Sequence, residues 1–158
     1  MKRTKSIFLI CLLAFNIVGC GRKDILDIAG EYKFDSVKYL SMLSSASKDY
    51  IEEKAIGDTY SISNDGIIIT SVYNPYEYSD IRFEKVKLEN DYIEVFGDFE
   101  RISLDGYHEK YQYNIYDKEN NLLNIRFYYI DKELWLSHFN NLMKSNVTFD
   151  ILKLMKLQ

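Results

Sequence analysis

A chain of 158 residues holds one core of ordinary size and not two. Its 20 lysines and arginines stand against 24 aspartates and glutamates, a formal charge of −4 at pH 7, which argues against nucleic acid as a partner, since phosphates demand a basic face. With two cysteines and a single proline it is not a disulfide-dense scaffold, and it has no low-complexity segment.

Lys2, Arg3 and Lys5 form a basic head, residues 7–18 are an almost unbroken apolar run, and the first acid is Asp24. That is the layout of an export signal, and the run is short of the ~20 residues that a spanning helix needs. Conventional cleavage wants small residues at the third and first positions before the cut, yet Ile17 is bulky where Gly19 is small. Ile17-Val18-Gly19-Cys20 resembles the lipobox of bacterial lipoproteins. The resemblance implies removal of residues 1–19 as a lipoprotein signal peptide, thioether lipidation of Cys20 and acylation of the new amino end with palmitate-like chains. Several chains on one residue anchor a protein to a membrane as a single chain does not, so the expected address is the bacterial cell envelope. Gly21, where an aspartate would resemble an inner-membrane retention signal, leans toward the outer membrane or cell surface. Loss of Lys2, Arg3 and Lys5 leaves 17 basic residues against the same 24 acids, about −7 for the exported part. With Cys11 removed and Cys20 lipidated, the fold has burial alone to hold it.

Residues 20–29 read as a lipidated tether and 30–158 as the domain. Tyr32 and Phe34 alternate with Glu31, Lys33 and Asp35, the period of a half-buried strand. In residues 37–56 the spacing changes: Leu40, Leu43, Ser47, Ile51 and Ala55 fall three or four apart, predicting an amphipathic helix or a broken pair, with the serines at 44, 45 and 47 as the break and Gly57 as the stop. Tyr60 and Ile62 then precede Asn64-Asp65-Gly66, a hairpin turn, with residues 67–73 as the return strand. Asn74-Pro75 opens an expected interruption to residue 79. In residues 80–89 the apolar parity flips between Phe83 and Val86, predicting a bulge. Further strands are expected at 92–96, 99–104, 107–116, 122–130, 133–139 and 148–155, separated by the turn residues of Asp105-Gly106, 117–121 and Asp131-Lys132.

Nine or ten strands with one early helix make a mainly β fold, and connections this short favour antiparallel neighbours. Closing such a meander into a barrel of 8–10 strands removes its edges; a β-sandwich is the alternative. Gly30-Glu31-Tyr32 resembles the G-x-W opening of lipocalin-like (calycin) barrels, with Tyr32 in place of tryptophan, and the helical stretch is similar to the lid of the fatty-acid-binding branch. The resemblance implies a barrel with an N-terminal helical insertion and a small hydrophobic or amphipathic ligand inside it.

Fourteen tyrosines and nine phenylalanines are a high aromatic load. Tyr107, Tyr111, Tyr113 and Ile115 share a parity, as do Leu123, Ile125, Phe127 and Tyr129, and inward stripes of this kind either fill a small barrel or line a pocket. Tyr107, Tyr111, Tyr113, Phe127 and Tyr129 are therefore the candidate ligand-binding residues. Trp135 reads as a core or seam anchor. His108 and His138 lack a surrounding set of ligands, so no metal site is expected, and the segment 117–121 lacks the glycine and closing glutamate of a calcium loop. No G-x-S-x-G elbow and no phosphate-cradling loop occurs, while carboxylate pairs such as Asp98 and Glu100, or Glu52 and Glu53, are ordinary on an acidic chain. Neither catalysis nor a cofactor is expected. The leading reading is a membrane-anchored binding barrel; the second is a lipoprotein of inhibitor or immunity type that meets an envelope protein partner through its acidic surface.

Overall fold

The structure, a computed structural model, describes residues 27–73, 75–96, 99–140 and 147–158. The expected signal peptide at 1–19, Cys20 and the tether as far as residue 26 lie outside the described residues, as do Asn74 and Asp98. In chain order the elements are β1 (Gly30–Leu40), α1 (Lys48–Ala55), β2 (Thr59–Ile62), β3 (Gly66–Thr70), β4 (Tyr76–Ser79), β5 (Arg82–Lys87), β6 (Tyr92–Phe96), β7 (Glu100–Ser103), β8 (Lys110–Tyr116), β9 (Leu122–Ile130), β10 (Glu133–Asn140) and β11 (Val147–Lys156). Among the described residues no helix is long and apolar enough to cross a membrane.

The mainly β antiparallel meander is as the sequence predicts. Its main path runs β4-β3-β2-β1-β11-β10-β9-β8-β5, with the hairpin β6–β7 to one side. The ladder does not close, because β4 stands at one edge beside β3 and β5 at the other beside β8. These two edges are nonetheless consecutive in the chain: only Asp80 and Ile81 separate Ser79 from Arg82, a span of about 11 Å at most. Alternation along the antiparallel path makes β4 and β5 run in the same sense. They are two halves of one strand kinked at Asp80, where φ is 55°, and the sheet curls into an open barrel whose seam is that kink.

Inside the curl lies the larger core. Tyr32, Phe34 and Val37 of β1, Tyr60 and Ile62 of β2, Ile67 and Ile69 of β3, Phe83 of β5, Tyr113 and Ile115 of β8, Ile125 and Phe127 of β9, Leu134 and Leu136 of β10, and Leu152 and Leu154 of β11 all point into it. The residues between them face outward, as the pleat requires. At the β2–β3 turn the Ser63 hydroxyl accepts the Gly66 N–H at 3.1 Å. Gly66 is fixed by its neighbour, for a Cβ there would stand 2.6 Å from the Tyr78 carbonyl oxygen.

The early helix is shorter than its spacing predicts. Residues 37–40 continue β1, paired to β11 from Val37↔Leu152 to Leu40↔Asp150, and α1 begins only at Lys48, capped by the Ser47 hydroxyl. Two register shifts in β1, between Phe34 and Ser36 and between Val37 and Tyr39, are the reason. Each bulge inserts a residue, so Phe34, Val37 and Leu40 reach the interior at intervals of three and imitate a helical stripe. β2 covers only Gly30–Lys33 of β1. Above that point the exposed edge of β1 is met by Asp58, whose carbonyl accepts the Phe34 N–H at 3.1 Å, and by the Glu52 carboxylate of α1, which accepts the Val37 N–H at 3.2 Å. Helix α1 thus blunts an edge that a strand leaves open.

Two further expectations are corrected. Residues 76–79, read as part of an interruption, form β4. The parity flip in residues 80–89 is not a bulge: β5 pairs with β8 in unbroken register from Arg82↔Tyr116 to Lys87↔Tyr111. Val86 points out, 39% exposed, and Lys85 takes the inward position opposite Tyr113. A polar residue inside a strand imitates a shift of register when its partner is not visible in the sequence.

A second core lies on the outside of the barrel wall. The β6–β7 hairpin lays Ile93, Val95 and Leu104 over Tyr128 and Ile130 of β9, Trp135 of β10 and Ile151 of β11. The wall β9–β10–β11 is therefore buried on both faces, which explains the unbroken buried runs at 125–128 and 134–137. Among the described residues this hairpin makes a second layer over the wall, the portion of the sandwich alternative that has a counterpart here. Among the described residues both cores draw on side chains between Ile28 and Leu154, all of which a chain from Gly21 onward retains.

Candidate functional site

The interior divides into a filled end and a hollow end. Four of the five predicted ligand-binding residues are at the filled end: Tyr113 and Phe127 are wholly buried, and Tyr111 and Tyr129 pack against the same core. Residues 27–29, expected as the last of the tether, cross this end of the barrel. Ile28 is fully buried, and its carbonyl accepts the Tyr32 hydroxyl at 3.0 Å. The Asp27 carboxylate accepts the Tyr113 hydroxyl at 2.8 Å and pairs with the Lys85 ammonium, which itself rests 3.8 Å from the Tyr111 ring centre. Lys85, then Tyr113, hold the Asp27 carboxyl below its ordinary value, while burial, then the bond to Asp27, push the Tyr113 hydroxyl far above the usual phenol range. Tyr107 is elsewhere. It precedes β8, its N–H bonded to the Leu104 carbonyl at 3.1 Å, and packs edge-on against Trp135 in the outer core.

At the other end a cavity of about 490 Å³ opens beside α1, within the range of small-ligand pockets. None of the five predicted residues lines it. Its walls are Tyr60 and Ile69 on β2 and β3, Tyr78 on β4, Ile125 on β9 and Leu152 on β11, and its mouth is framed by Tyr50, Ile51 and Lys54 of α1 facing Tyr73 and Tyr76. The cavity exists because α1, not a strand, borders the upper part of β1.

Polar groups enter this aromatic setting at a few points. His138 lies in register with Ile125 on one side and Asp150 on the other, both of which line the cavity, and its Nδ1 stands 2.6 Å from the Asp150 carboxylate. Asp58, 9% exposed, sits before β2; burial raises its carboxyl above the ordinary value, a push that the Ser71 hydroxyl opposes. Burial also raises the Tyr60 hydroxyl, and the charges of Asp58 and Asp150 add to it, which places both carboxylates within electrostatic reach of that one phenol. At the mouth the Lys54 ammonium lies 4.1 Å over the Tyr73 ring and 5.6 Å from that of Tyr50, a cation–π contact between α1 and the connection from β3 to β4.

Asp58, His138, Asp150 and the tyrosines at 60, 73, 76 and 78 are thus the cavity residues that sequence reasoning missed. The Tyr76/Tyr78 spacing of two was the available signal, obscured by the neighbouring proline. His108 is on the far side, its N–H bonded to the Asp131 carboxylate at 3.1 Å. The 117–121 segment is a turn, with the Asp117 carboxylate accepting the N–H groups of Glu119 and Asn121 at 2.9 and 2.8 Å. Among the described residues no group of three or more histidines, cysteines or acids converges as for a metal ion. The arrangement suits reversible capture: flat aromatic faces, an apolar interior and a few fixed polar contacts. Compared with protein-family models, curated proteins and solved structures, the chain finds no match.

Proposed function

We propose that the protein is a membrane-anchored lipoprotein, lipidated at Cys20, whose barrel binds a small hydrophobic or amphipathic ligand without a catalytic step. The observation that carries the reading is the cavity, about 490 Å³ in volume, tyrosine-lined and open to solvent beside α1. The leader and the Ile17-Val18-Gly19-Cys20 motif supply the anchor. They also supply a geometry, because Cys20 precedes Asp27 by seven residues, a reach of about 25 Å at most. An anchor there keeps Asp27, at the filled end of the barrel, within about 25 Å of the membrane surface.

Native mass spectrometry on the chain from Gly21, after exposure to envelope extract and to a panel of lipids, tests the binding half. Retention of a small molecule that Ile125→Trp excludes is the expected result; repeated absence of any retained mass overturns it. Metabolic labelling with palmitate tests the anchor: label is incorporated by the native chain and not by Cys20→Ser.

A further inference from the structure

The charges around the cavity carry the reading further, to the kind of head group the cavity takes. Two carboxylates line it, Asp58 and Asp150. One is buried, its side chain engaged by the Ser71 hydroxyl and, among the described residues, by no cation. The other is shared with His138. Against them, among the described residues that line the cavity, stands a single lysine, Lys54, at the rim and already committed to the faces of Tyr73 and Tyr50. A fatty acid or sulfate entering the cavity would bring a third negative charge to a partly dehydrated site, where like charges are repelled far more than in water. An ammonium meets the opposite: two carboxylate acceptors and the rings of Tyr50, Tyr60, Tyr73, Tyr76 and Tyr78 in the lining of the same cavity. The chain itself demonstrates that these rings receive a cation, since the Lys54 ammonium rests on two of them.

We propose that the cavity selects amphiphiles with a cationic amine head group, the ammonium seated between Asp58 and Asp150 near the Tyr60 hydroxyl and the apolar part against Ile69, Ile125 and Leu152. This rests on the ligand-binding reading above and narrows it. Aromatic rings with a carboxylate are a general solution for ammonium recognition, and a charge-assisted contact in a dehydrated site discriminates by about tenfold or more.

The test uses three probes of equal chain length, dodecylammonium, dodecanoate and dodecanol, titrated below micelle formation into the chain from Gly21 and read by isothermal calorimetry. Dodecylammonium is expected to bind at least tenfold more tightly than dodecanoate. Asp58→Asn and, separately, Asp150→Asn each weaken dodecylammonium by about tenfold and weaken the uncharged dodecanol by less, with circular dichroism establishing that each variant is folded. Dodecanoate binding as tightly as dodecylammonium, or both variants keeping full affinity for the amine, overturns the cation preference while leaving the binding barrel intact. Failure of all three probes to bind overturns both.

Discussion

Asp58 and Asp27 are carboxylates at opposite ends of one barrel, and their surroundings give them opposite signs in the stability of the fold. Burial raises the Asp58 carboxyl, so its contribution to stability is fully present below the unfolded value, near 4, and is lost as pH rises through the folded one. Once ionised, Asp58 is held against the fold. Asp58→Asn is therefore expected to raise the midpoint of thermal unfolding at pH 7 and to leave it unchanged at pH 3; a fall at pH 7 would mean that the charge is structural. Asp27, held low by Lys85 and Tyr113, contributes stability that is present above the unfolded value and lost as pH falls through the folded one. Asp27→Asn lowers the midpoint at pH 7 and converges with the native chain in acid. The inward parity of Tyr111, Tyr113, Phe127 and Tyr129 was legible because β8 and β9 keep the period of two across those positions. Their role as filling was not legible, because it depends on Asp27, Ile28 and Lys85 meeting them from elsewhere in the chain.

At the level of elements, turns were readable and strand irregularities were not. Asp131-Lys132 joins β9 to β10 as a two-residue turn with φ of 45° and 73°, the paired positive values of a type I′ hairpin. Asp131 serves it doubly: its N–H reaches the Glu109 carbonyl at 2.9 Å, and its carboxylate accepts the N–H groups of His108 and Glu109, which holds that carboxyl low. Among the described residues Lys132 makes no comparable contact in return for its left-handed backbone. Lys132→Gly is expected to stabilise the domain by about 0.5–1 kcal/mol, the relief of a side chain in that region less the added freedom of the unfolded chain. Denaturant titration with an unchanged slope and a higher midpoint is the measurement; no gain would mean that Lys132 contributes a contact outweighing its strain. The stretch 37–56 misled for the opposite reason. The bulges of β1 give apolar residues a spacing of three, and only the pairing with β11, more than a hundred residues away, distinguishes that from a helix.

The whole molecule is organised by long-range closure, and this is where the sequence says least. Turn chemistry argues that neighbours pair, yet β1 pairs with β11, β6 touches β11 at Val147↔Phe96, and the sheet's two edges are halves of one strand. The same holds for the domain's beginning. Residues 27–29 carry no strand period and follow a charged segment, so a boundary at Gly30 is what composition suggests, yet Ile28 has no exposed surface and Asp27 reaches across to β5 and β8. If this crossing is what seals the filled end, a chain starting at Gly30 loses a buried isoleucine, the acceptor of the Tyr32 hydroxyl and the counter-ion of Lys85 at once. Large-to-small changes at buried isoleucines cost about 2–5 kcal/mol, and losing the acceptor and the counter-ion adds to that. The chain from Gly30 is therefore expected to unfold at least ~5 °C below the chain from Gly21, with Ile28→Ala in the longer chain accounting for most of the difference. Equal midpoints would place residues 27–29 outside the cooperative unit, and a lipid at Cys20, as proposed, would then be joined to the barrel by a linker that includes them.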